Sequence, residues 1–426
     1  MIRTIQYTGP ADLAFLQRGE AADVETVVQN ILQNVRTNGD AALFEYSRKF
    51  DKAELTALEV SGKEIDDAMQ SVDPAFLDVL REAKENITAF HKHQLENGFV
   101  VQDKPGVILG QRVLPLEKVG LYVPGGTAAY PSSVLMNCVP ASLAGCGEIV
   151  MVTPPAKDGS VNPVILAAAK VAGVGRVFKV GGAQAVAALA YGTETIPKVD
   201  KIVGPGNCFV AEAKKQVFGM VDIDMIAGPS EIPIVADGTC NPRFVAADML
   251  SQAEHDKLAS ATLLTDSAAL AAAVSAELDR QIPLLERHEI AGYSIEHHGA
   301  ILLVDSIEQA IEVSNAIAPE HLELCMDNPF DYLNLVQNAG SVFLGKNCPD
   351  PLGDYFAGPN HTLPTSGTAR FSSPLSVYDF VKRMQFTYFT SDALQSVKDK
   401  VAYFARKEGL TAHAKSAEIR FEEVEE

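Results

Sequence analysis

From about residue 118 to residue 304, the chain repeats one unit: a short apolar run, a turn rich in glycine or proline, and a helical stretch. Runs such as 149–152 and 300–304 are apolar without alternation, which is typical of strands buried on both faces. Parallel strands joined by right-handed helical crossovers bury both of their faces. The unit is interrupted after Ser230 and then starts again. We therefore expect an α/β fold with two α/β domains of similar design, although no strict sequence repeat is visible.

Residues 20–100 and those beyond 374 carry apolar residues at helical three-to-four spacing instead. These regions predict small helical parts at the two ends of the chain. His91 and His93 lie in a polar continuation of the first helical region, and a solvated helix face is the simplest interpretation of them. A chain of 426 residues is too long for one ordinary core, so two to four domains are expected.

The composition narrows the classes of partner and compartment. Apolar residues make up 47% of the chain and charged residues 21%, as in a well-packed globular protein. The net charge of −20 argues against nucleic acid or an anionic membrane as a partner. No signal-peptide pattern opens the chain, and no run approaches the roughly 18 apolar residues of a membrane span. The six cysteines stand far apart, which predicts reduced thiols. We therefore expect a cytoplasmic protein of enzyme size.

Three glycine-rich turns, at 123–126, 180–182 and 203–206, each lead into a predicted helix. Backbone N–H groups at a helix N-terminus can hold a phosphate. Neither the dinucleotide fingerprint G-x-G-x-x-G nor the P-loop pattern occurs anywhere in the chain. The turns therefore fit a nucleotide site and ordinary strand-to-helix loops equally well.

Imidazoles stand beside carboxylates or carboxamides at four places in the last 180 residues. Gln252 and His255 have the i, i+3 spacing that places both on one face of a helix. With Asp354 and His413 they make a set of two nitrogen and two oxygen ligands, which favours zinc over calcium or magnesium. Taken singly, each has an ordinary structural interpretation as a helix cap, a turn carboxylate or a surface imidazole. The zinc-peptidase pattern H-E-x-x-H is absent.

Glu320 and His321 suggest a different role. Adjacent side chains on a helix point about 100° apart, so the two are poor partners in one chelate. They could instead flank a substrate as two separate acid–base groups, because a histidine can accept an alcohol proton near neutral pH. The alternative interpretation is a helix that begins at Pro319, with the Glu320 carboxylate favoured by the helix dipole.

Together these segments resemble the histidinol dehydrogenase family over essentially the whole chain. The matching blocks are GLYVPGG at 120–126, VGGAQA at 180–185, GPGN at 204–207, AGPSE at 227–231, LSQAEH at 250–255, APEHLE at 318–323, GDY at 353–355, NHTLPT at 360–365 and EGLTAH at 408–413. So many ordered blocks are far more specific than any single motif.

The resemblance implies oxidation of L-histidinol to L-histidine through the aldehyde, with two NAD⁺, at the end of histidine biosynthesis. It also implies one zinc ion per subunit. The implied zinc ligands are Gln252, His255, Asp354 and His413. The implied NAD contacts are Tyr122, Gln184 and Asn207, on an incomplete Rossmann-like sheet. The implied substrate contacts are Ser230, Gln252, His255, Glu320, His321, Asp354, His361, Glu408 and His413.

In such an enzyme His321 would take the hydroxyl proton as hydride leaves, and Glu320 would activate the water that attacks the aldehyde. The cysteines, Cys146 included, would need no catalytic role. Members of the family are homodimers in which the C-terminal module completes the partner's site, so Glu408 and His413 would act in trans.

The resemblance also gives expected boundaries. An N-terminal segment, 1–19, would pack with 375–388. Residues 20–121 and 230–374 would form the first α/β domain, with most of the zinc and catalytic site. Residues 122–229 would form the NAD-binding domain, and 389–426 the C-terminal helical module.

Two other functions compete with this one. The first is a zinc- and NAD-dependent alcohol dehydrogenase of the same family that acts on a non-imidazole alcohol. His361 and the block at 408–413 argue against it, because they would contact the histidinol end of the substrate. The second is a non-catalytic nucleotide- or metabolite-binding protein, which the presence of both Glu320 and His321 argues against.

Overall fold

The structure, a computed structural model, describes residues 2–16, 24–125 and 130–422. The strands in these ranges are β1 (Arg3–Gln6), β2 (Phe99–Val101), β3 (Val107–Pro115), β4 (Lys118–Tyr122), β5 (Glu148–Thr153), β6 (Arg176–Lys179), β7 (Lys201–Val203), β8 (Asp222–Ile223), β9 (Glu231–Ala236), β10 (Ser260–Thr265), β11 (Ala300–Leu303), β12 (His321–Cys325), β13 (Ser341–Leu344) and β14 (Val381–Phe389).

The α-helices in the same ranges are α1 (Glu25–Tyr46), α2 (Gly62–Ser71), α3 (Pro74–His91), α4 (Pro131–Ala144), α5 (Pro163–Ala172), α6 (Gly182–Tyr191), α7 (Cys208–Val217), α8 (Pro242–Ala253), α9 (Ala268–Gln281), α10 (His288–His298), α11 (Ile307–Ile317), α12 (Phe330–Leu333), α13 (Asp350–Tyr355), α14 (Ser391–Lys407) and α15 (Thr411–Glu418). Not one of them is both long enough and apolar enough to cross a lipid bilayer.

The chain divides into two compact units, Met1–Gln94 with Leu116–Phe380 and Leu95–Pro115 with Val381–Glu426. The first unit contains two sheets in which every pairing is parallel. The second contains the antiparallel sheet β14-β3-β2 and the helices α14 and α15. The predicted α/β class with parallel sheets is confirmed.

The two parallel sheets share one topology. The five-stranded sheet has the order β6-β5-β4-β7-β8, so the chain runs outward from β4 and then crosses to the other side of it. The six-stranded sheet has the order β1-β11-β10-β9-β12-β13. Apart from β1, the chain follows the same path through this sheet. It runs outward from β9 to β11 and then crosses to β12 and β13 on the other side of β9. Because this path requires only buried strands and right-handed crossovers, many apolar sequences can adopt it. Two sheets can therefore share one topology without a sequence repeat.

The N-terminal strand joins the six-stranded sheet. β1 runs parallel to β11, with Arg3 opposite Ala300 and Gln6 opposite Leu303. The expected packing of 1–19 against 375–388 stays a prediction. A strand adds to any sheet edge with free backbone hydrogen-bonding groups, and its own sequence does not specify which edge that is.

The helices of the first hundred residues lie elsewhere than expected, since they cover the five-stranded sheet. Val28 and Leu43 of α1 share a core with Phe178 of β6, and Leu80 of α3 shares one with Val119 of β4. The expectation had grouped 20–121 with 230–374. Amphipathic periodicity identifies the buried face of a helix but not the sheet that buries it.

One prediction about α3 is wrong. His91, at its C-terminal end, is fully buried rather than solvated, and its Nδ1 lies 2.7 Å from Oε1 of Gln94. The same Gln94 oxygen accepts the Val377 N–H at 3.1 Å. The polar residues around His91 in the sequence are typical of an exposed helix face. They do not show that Gln94 contacts a segment almost 300 residues away.

Candidate active site

His321 opens β12, which lies between β9 and β13 in the six-stranded sheet, and Glu320 immediately precedes it. The preceding helix α11 ends at Ile317, and the next residue, Ala318, has a φ of 54° that turns the chain toward the strand. Glu320 is 7% exposed and His321 is 4% exposed. The alternative in which Pro319 starts a helix is therefore wrong, and the pair occupies the amino end of a central strand.

The imidazole of His321 is enclosed by polar groups on both sides. Its Nδ1 lies 2.8 Å from Nε2 of Gln252 and 3.5 Å from Oε2 of Glu320. Its Nε2 lies 3.4 Å from Oδ1 of Asp350 and 3.8 Å from Oδ1 of Asp354. Nδ1 therefore faces both the amide nitrogen of Gln252, which can only donate, and the backbone oxygen of Glu231 at 3.3 Å, which can only accept. The ring is thus surrounded by one amide side chain from α8 and three carboxyl groups.

The carboxyl group of Glu320 is poised to exchange protons near neutral pH. Burial raises its pKa to about 7, against the opposing effect of His321 and of a hydrogen bond. That hydrogen bond is donated by the backbone N–H of Glu231 to Oε2 at 3.1 Å. A pKa near the working pH is the property that a general base requires.

Gln252 lies in the last turn of α8 and His255 just after the helix. This helix begins with an Asn241 cap followed by Pro242, and Gln252 lies in its last turn, 1% exposed. His255 follows the helix, and its backbone N–H donates to the carbonyl of Gln252 at 3.2 Å. The Nδ1 atom of His255 is buried without a hydrogen-bond partner among the described residues.

Asp354 and His361 lie close together beyond β13. Nδ1 of His361 is 2.9 Å from the backbone oxygen of Asp354 and 3.8 Å from its Oδ1. Nε2 of His361 is 3.2 Å from the hydroxyl of Ser133 in α4, a helix of the five-stranded half. Burial lowers the pKa of His361, so its ring is neutral at physiological pH. A small cavity of about 110 Å³ adjoins His321, Asp354 and His361.

Asp350 is a site residue that the sequence reasoning missed. Its side chain is completely buried, and both carboxyl oxygens are without hydrogen-bond partners in the described part of the chain. Burial, followed by the charge of Asp354, raises its pKa to about 8. Asp350 precedes Asp354 by four residues in α13, the spacing that places both on one helical face. That spacing was the available signal.

The site offers ligands that fit a metal ion. Nδ1 or Nε2 of His321 and one carboxyl oxygen each of Asp350 and Asp354 lie within 4.8 Å of one another. Buried nitrogen and oxygen atoms without partners, on His255, His321 and Asp350, are what a cation site needs. Of the predicted ligands, Gln252, His255 and Asp354 belong to the first unit. His413 is exposed in α15 of the second unit, as is Glu408, which ends α14.

The predicted NAD contacts lie at the carboxyl ends of the five-stranded sheet, where the strand order reverses. Tyr122 ends β4, and its hydroxyl accepts the Gly182 N–H at 3.0 Å. Gln184 is buried in α6. Asn207 caps α7, and its side-chain oxygen accepts the backbone N–H groups of the second and third residues after it. Gly126, the last residue of the first glycine-rich turn, lies outside the described residues.

Two further predicted features have clear positions. Ser230 precedes β9, and its carbonyl accepts the Ser260 N–H at 3.0 Å, so it lies at the same amino edge of the sheet as His321. Cys146 is half-buried, and burial raises the pKa of its thiol to about 11. A thiol with such a pKa is protonated near neutrality and is a poor nucleophile.

These features define an α/β enzyme with a buried acid–base pair beside a ligand cluster. The family model for histidinol dehydrogenase matches residues 16–421. The histidinol dehydrogenase of Clostridium acetobutylicum is 58% identical over 95% of this chain and 94% of its own length. That of Lactococcus lactis is 51% identical over 100% of both chains. The crystal structure of histidinol dehydrogenase from Elizabethkingia anophelis superposes with a TM-score of 0.94, at 39% identity and 98% coverage of each chain.

The chain therefore belongs to the histidinol dehydrogenase family. Like the proteins of that family, it is an NAD-dependent oxidoreductase.

Proposed function

We propose that this protein oxidises L-histidinol to L-histidine through L-histidinal, with two NAD⁺ and one zinc ion per subunit, in the final steps of histidine biosynthesis. The observation that carries the proposal is the buried pair of Glu320 and His321. One member has a pKa near 7 and the other is held by Gln252, Asp350 and Asp354. The proposed compartment is the cytoplasm.

In the first oxidation, Nδ1 or Nε2 of His321 accepts the proton of the substrate hydroxyl while its carbon gives up hydride. The products are the aldehyde, NADH and a proton. The backbone oxygen of Glu231 near Nδ1 and the carboxyl oxygens near Nε2 can accept from a protonated ring, so the ring can take up a proton without losing its orientation. The hydride is accepted by the nicotinamide, which supplies the redox chemistry when bound.

In the second oxidation, the Glu320 carboxylate removes a proton from a water molecule that attacks the aldehyde. The protonated His321 returns its proton to the carbonyl oxygen as the water adds, which completes the hydrate. The hydrate then loses a proton to the neutral His321 and a hydride to the second NAD⁺, which yields the carboxylic acid. Glu320 suits this step because its raised pKa of about 7 makes it a stronger base than an ordinary carboxylate. Its buried position limits competition from bulk solvent.

Gln252, His255, Asp354 and His413 are the residues that would hold the zinc ion. When bound, zinc would act as a Lewis acid and a template that orients the substrate. Gln252 then has two tasks, because its Nε2 faces His321 while its side-chain oxygen remains available to a ligand. His361, neutral because of its burial, would contact the substrate with Ser230.

The proposed assembly is a homodimer in which the C-terminal module of one subunit completes the site of the other. Exposure of Glu408 and His413 supports this, since residues meant for a neighbouring subunit must lie on the surface of their own. Both would contribute to substrate binding, and His413 also to zinc.

The test is the number of NADH molecules formed per molecule of limiting L-histidinol, with and without a strong chelator. Two equivalents, lost with the chelator and restored by zinc, are expected. One equivalent would contradict the four-electron reaction. No NADH from the zinc-loaded dimer, together with turnover of another alcohol, would favour a different substrate within the same family.

A further inference from the structure

A buried ion pair between Lys214 and Asp224 lies behind the turn that follows β7. The two side chains are 2% and 1% exposed and contact each other directly. Lys214 lies about two turns into α7, and Asp224 follows the end of β8. Two buried charges cost several kcal/mol each in desolvation, so such a pair persists only with good geometry and further hydrogen bonds.

Those further hydrogen bonds converge on one residue, Gly204. Nζ of Lys214 donates to its carbonyl oxygen at 3.0 Å, and Oδ2 of Asp224 accepts its N–H at 2.6 Å. The other oxygen of Asp224 accepts the Met225 N–H at 2.6 Å. Both backbone polar groups of Gly204 are thus held by opposite members of one ion pair.

Gly204 occupies a conformation that needs this support. Its φ is +112°, and a Cβ at this position would overlap the carbonyl oxygen of Tyr122 and lie 3.2 Å from Nδ2 of Asn137. Residue Val203, just before it, pairs with Leu121 of β4. Gly204 therefore lies at the carboxyl end of β7, beside β4, where the strand order of the sheet reverses. Dinucleotides bind at this point in open α/β sheets.

We infer that the Lys214–Asp224 pair is a positioning device for NAD⁺, which holds the turn 204–207 in its binding conformation before the dinucleotide arrives. The inference rests on the proposed function. The chain lacks the G-x-G-x-x-G turn, whose glycines fix this geometry in other dinucleotide sites. Here two side chains fix it by holding both backbone polar groups of Gly204, and Asn207 at the end of the turn is exposed. A turn that is already ordered loses less conformational entropy on binding.

Two substitutions test this role, Asp224→Asn and Lys214→Met. The affinity for NADH, followed by its emission in this Trp-free chain, is expected to fall about tenfold or more, as is the affinity for NAD⁺. At saturating NAD⁺, kcat and the KM for L-histidinol should stay within about twofold of wild type. A merely structural role would instead lower the active fraction at unchanged NADH affinity, and that result would overturn the inference.

Asp222→Asn is the matched control. Asp222 pairs with the buried Lys201 at 3.0 Å on the same two strands, but at their amino ends, away from Gly204. Lys201 keeps a second carboxylate, that of Asp379 at 3.7 Å. This variant should bind NADH as wild type does. An equal loss of affinity in the control would show that any broken ion pair in this sheet has the same effect, and would overturn the inference.

A measurement on the unaltered protein decides the matter even if the variants do not fold. Hydrogen exchange of the Gly204 amide should be as slow as that of β7 before NAD⁺ is added. Rapid exchange that slows only with NAD⁺ would overturn the inference. Failure of the proposed function is distinguishable, because it appears as absence of NADH formation by wild type, whereas failure of the inference appears as unchanged NADH affinity in the variants.

Discussion

Nε2 of His321 lies 3.4 Å from Oδ1 of Asp350, and both atoms are buried without hydrogen-bond partners among the residues that the structure describes. A buried carboxyl group beside the unsatisfied nitrogen of a base controls the orientation and protonation of that base. Asp350 thereby joins the Glu320–His321 pair, although it is not among the predicted site residues.

We expect Asp350→Asn to lower kcat for L-histidinol oxidation by about 10- to 100-fold, the range typical of residues that orient a ligand or base. The side chain keeps its size, so the loss would arise from the altered partner of His321. Steady-state kinetics measures it, with Asp331→Asn, an exposed aspartate of α12, as the control. Wild-type kcat in Asp350→Asn would show that the carboxyl group is dispensable.

We expect Glu320→Gln and His321→Asn to separate the two oxidations. Glu320→Gln should slow histidinal oxidation by about 10²- to 10⁴-fold, the usual contribution of a general base, and leave the alcohol step less affected. His321→Asn should impair both the alcohol step and the aldehyde step, because His321 accepts a proton in each. Rates with L-histidinol and with supplied histidinal measure the difference. Histidinal oxidation at the wild-type rate in Glu320→Gln would contradict the assignment of water activation to Glu320.

The pH dependence of histidinal oxidation follows from the raised pKa of Glu320. The carboxyl group acts as a base only when ionised, and its pKa is about 7. The rate should therefore be constant above this pH and fall about tenfold per pH unit below it. A pH profile of kcat with supplied histidinal measures this. An inflection near the ordinary glutamate pKa of 4.5 would show that bound ligands lower the pKa of Glu320.

We expect Cys146→Ala to retain turnover close to that of wild type. The half-buried thiol lies 3.8 Å from the backbone oxygen of Phe380, and its pKa of about 11 keeps it protonated near neutrality. Turnover per folded molecule, checked by thermal unfolding, measures the effect. A thousandfold drop in kcat with an unchanged melting temperature would assign the thiol to the chemistry.

The sequence predicted features that depend on local pattern and missed those that depend on distant partners. Apolar runs identified the parallel strands, and the shared role of Gln252 and His255 as metal ligands stays a prediction. Asp350 was not predicted because a carboxylate at the start of a helix, here next to Pro349, is already explained by its favourable interaction with the helix dipole. His91 escaped because only the folded chain brings Val377 to its neighbour Gln94.

The trans contribution of the C-terminal module can be tested by mixing two inactive variants. His413→Asn removes a proposed zinc ligand, and His321→Asn removes the proposed base. In a dimer with shared sites, a mixed dimer carries both defects in one site and neither in the other, so refolding the two variants together should restore about a quarter of wild-type activity by random pairing. If each module instead served its own subunit, every site in the mixture would keep one defect and no activity would return. Either variant refolded alone is the control, and NADH formation per milligram of dimer measures the recovery.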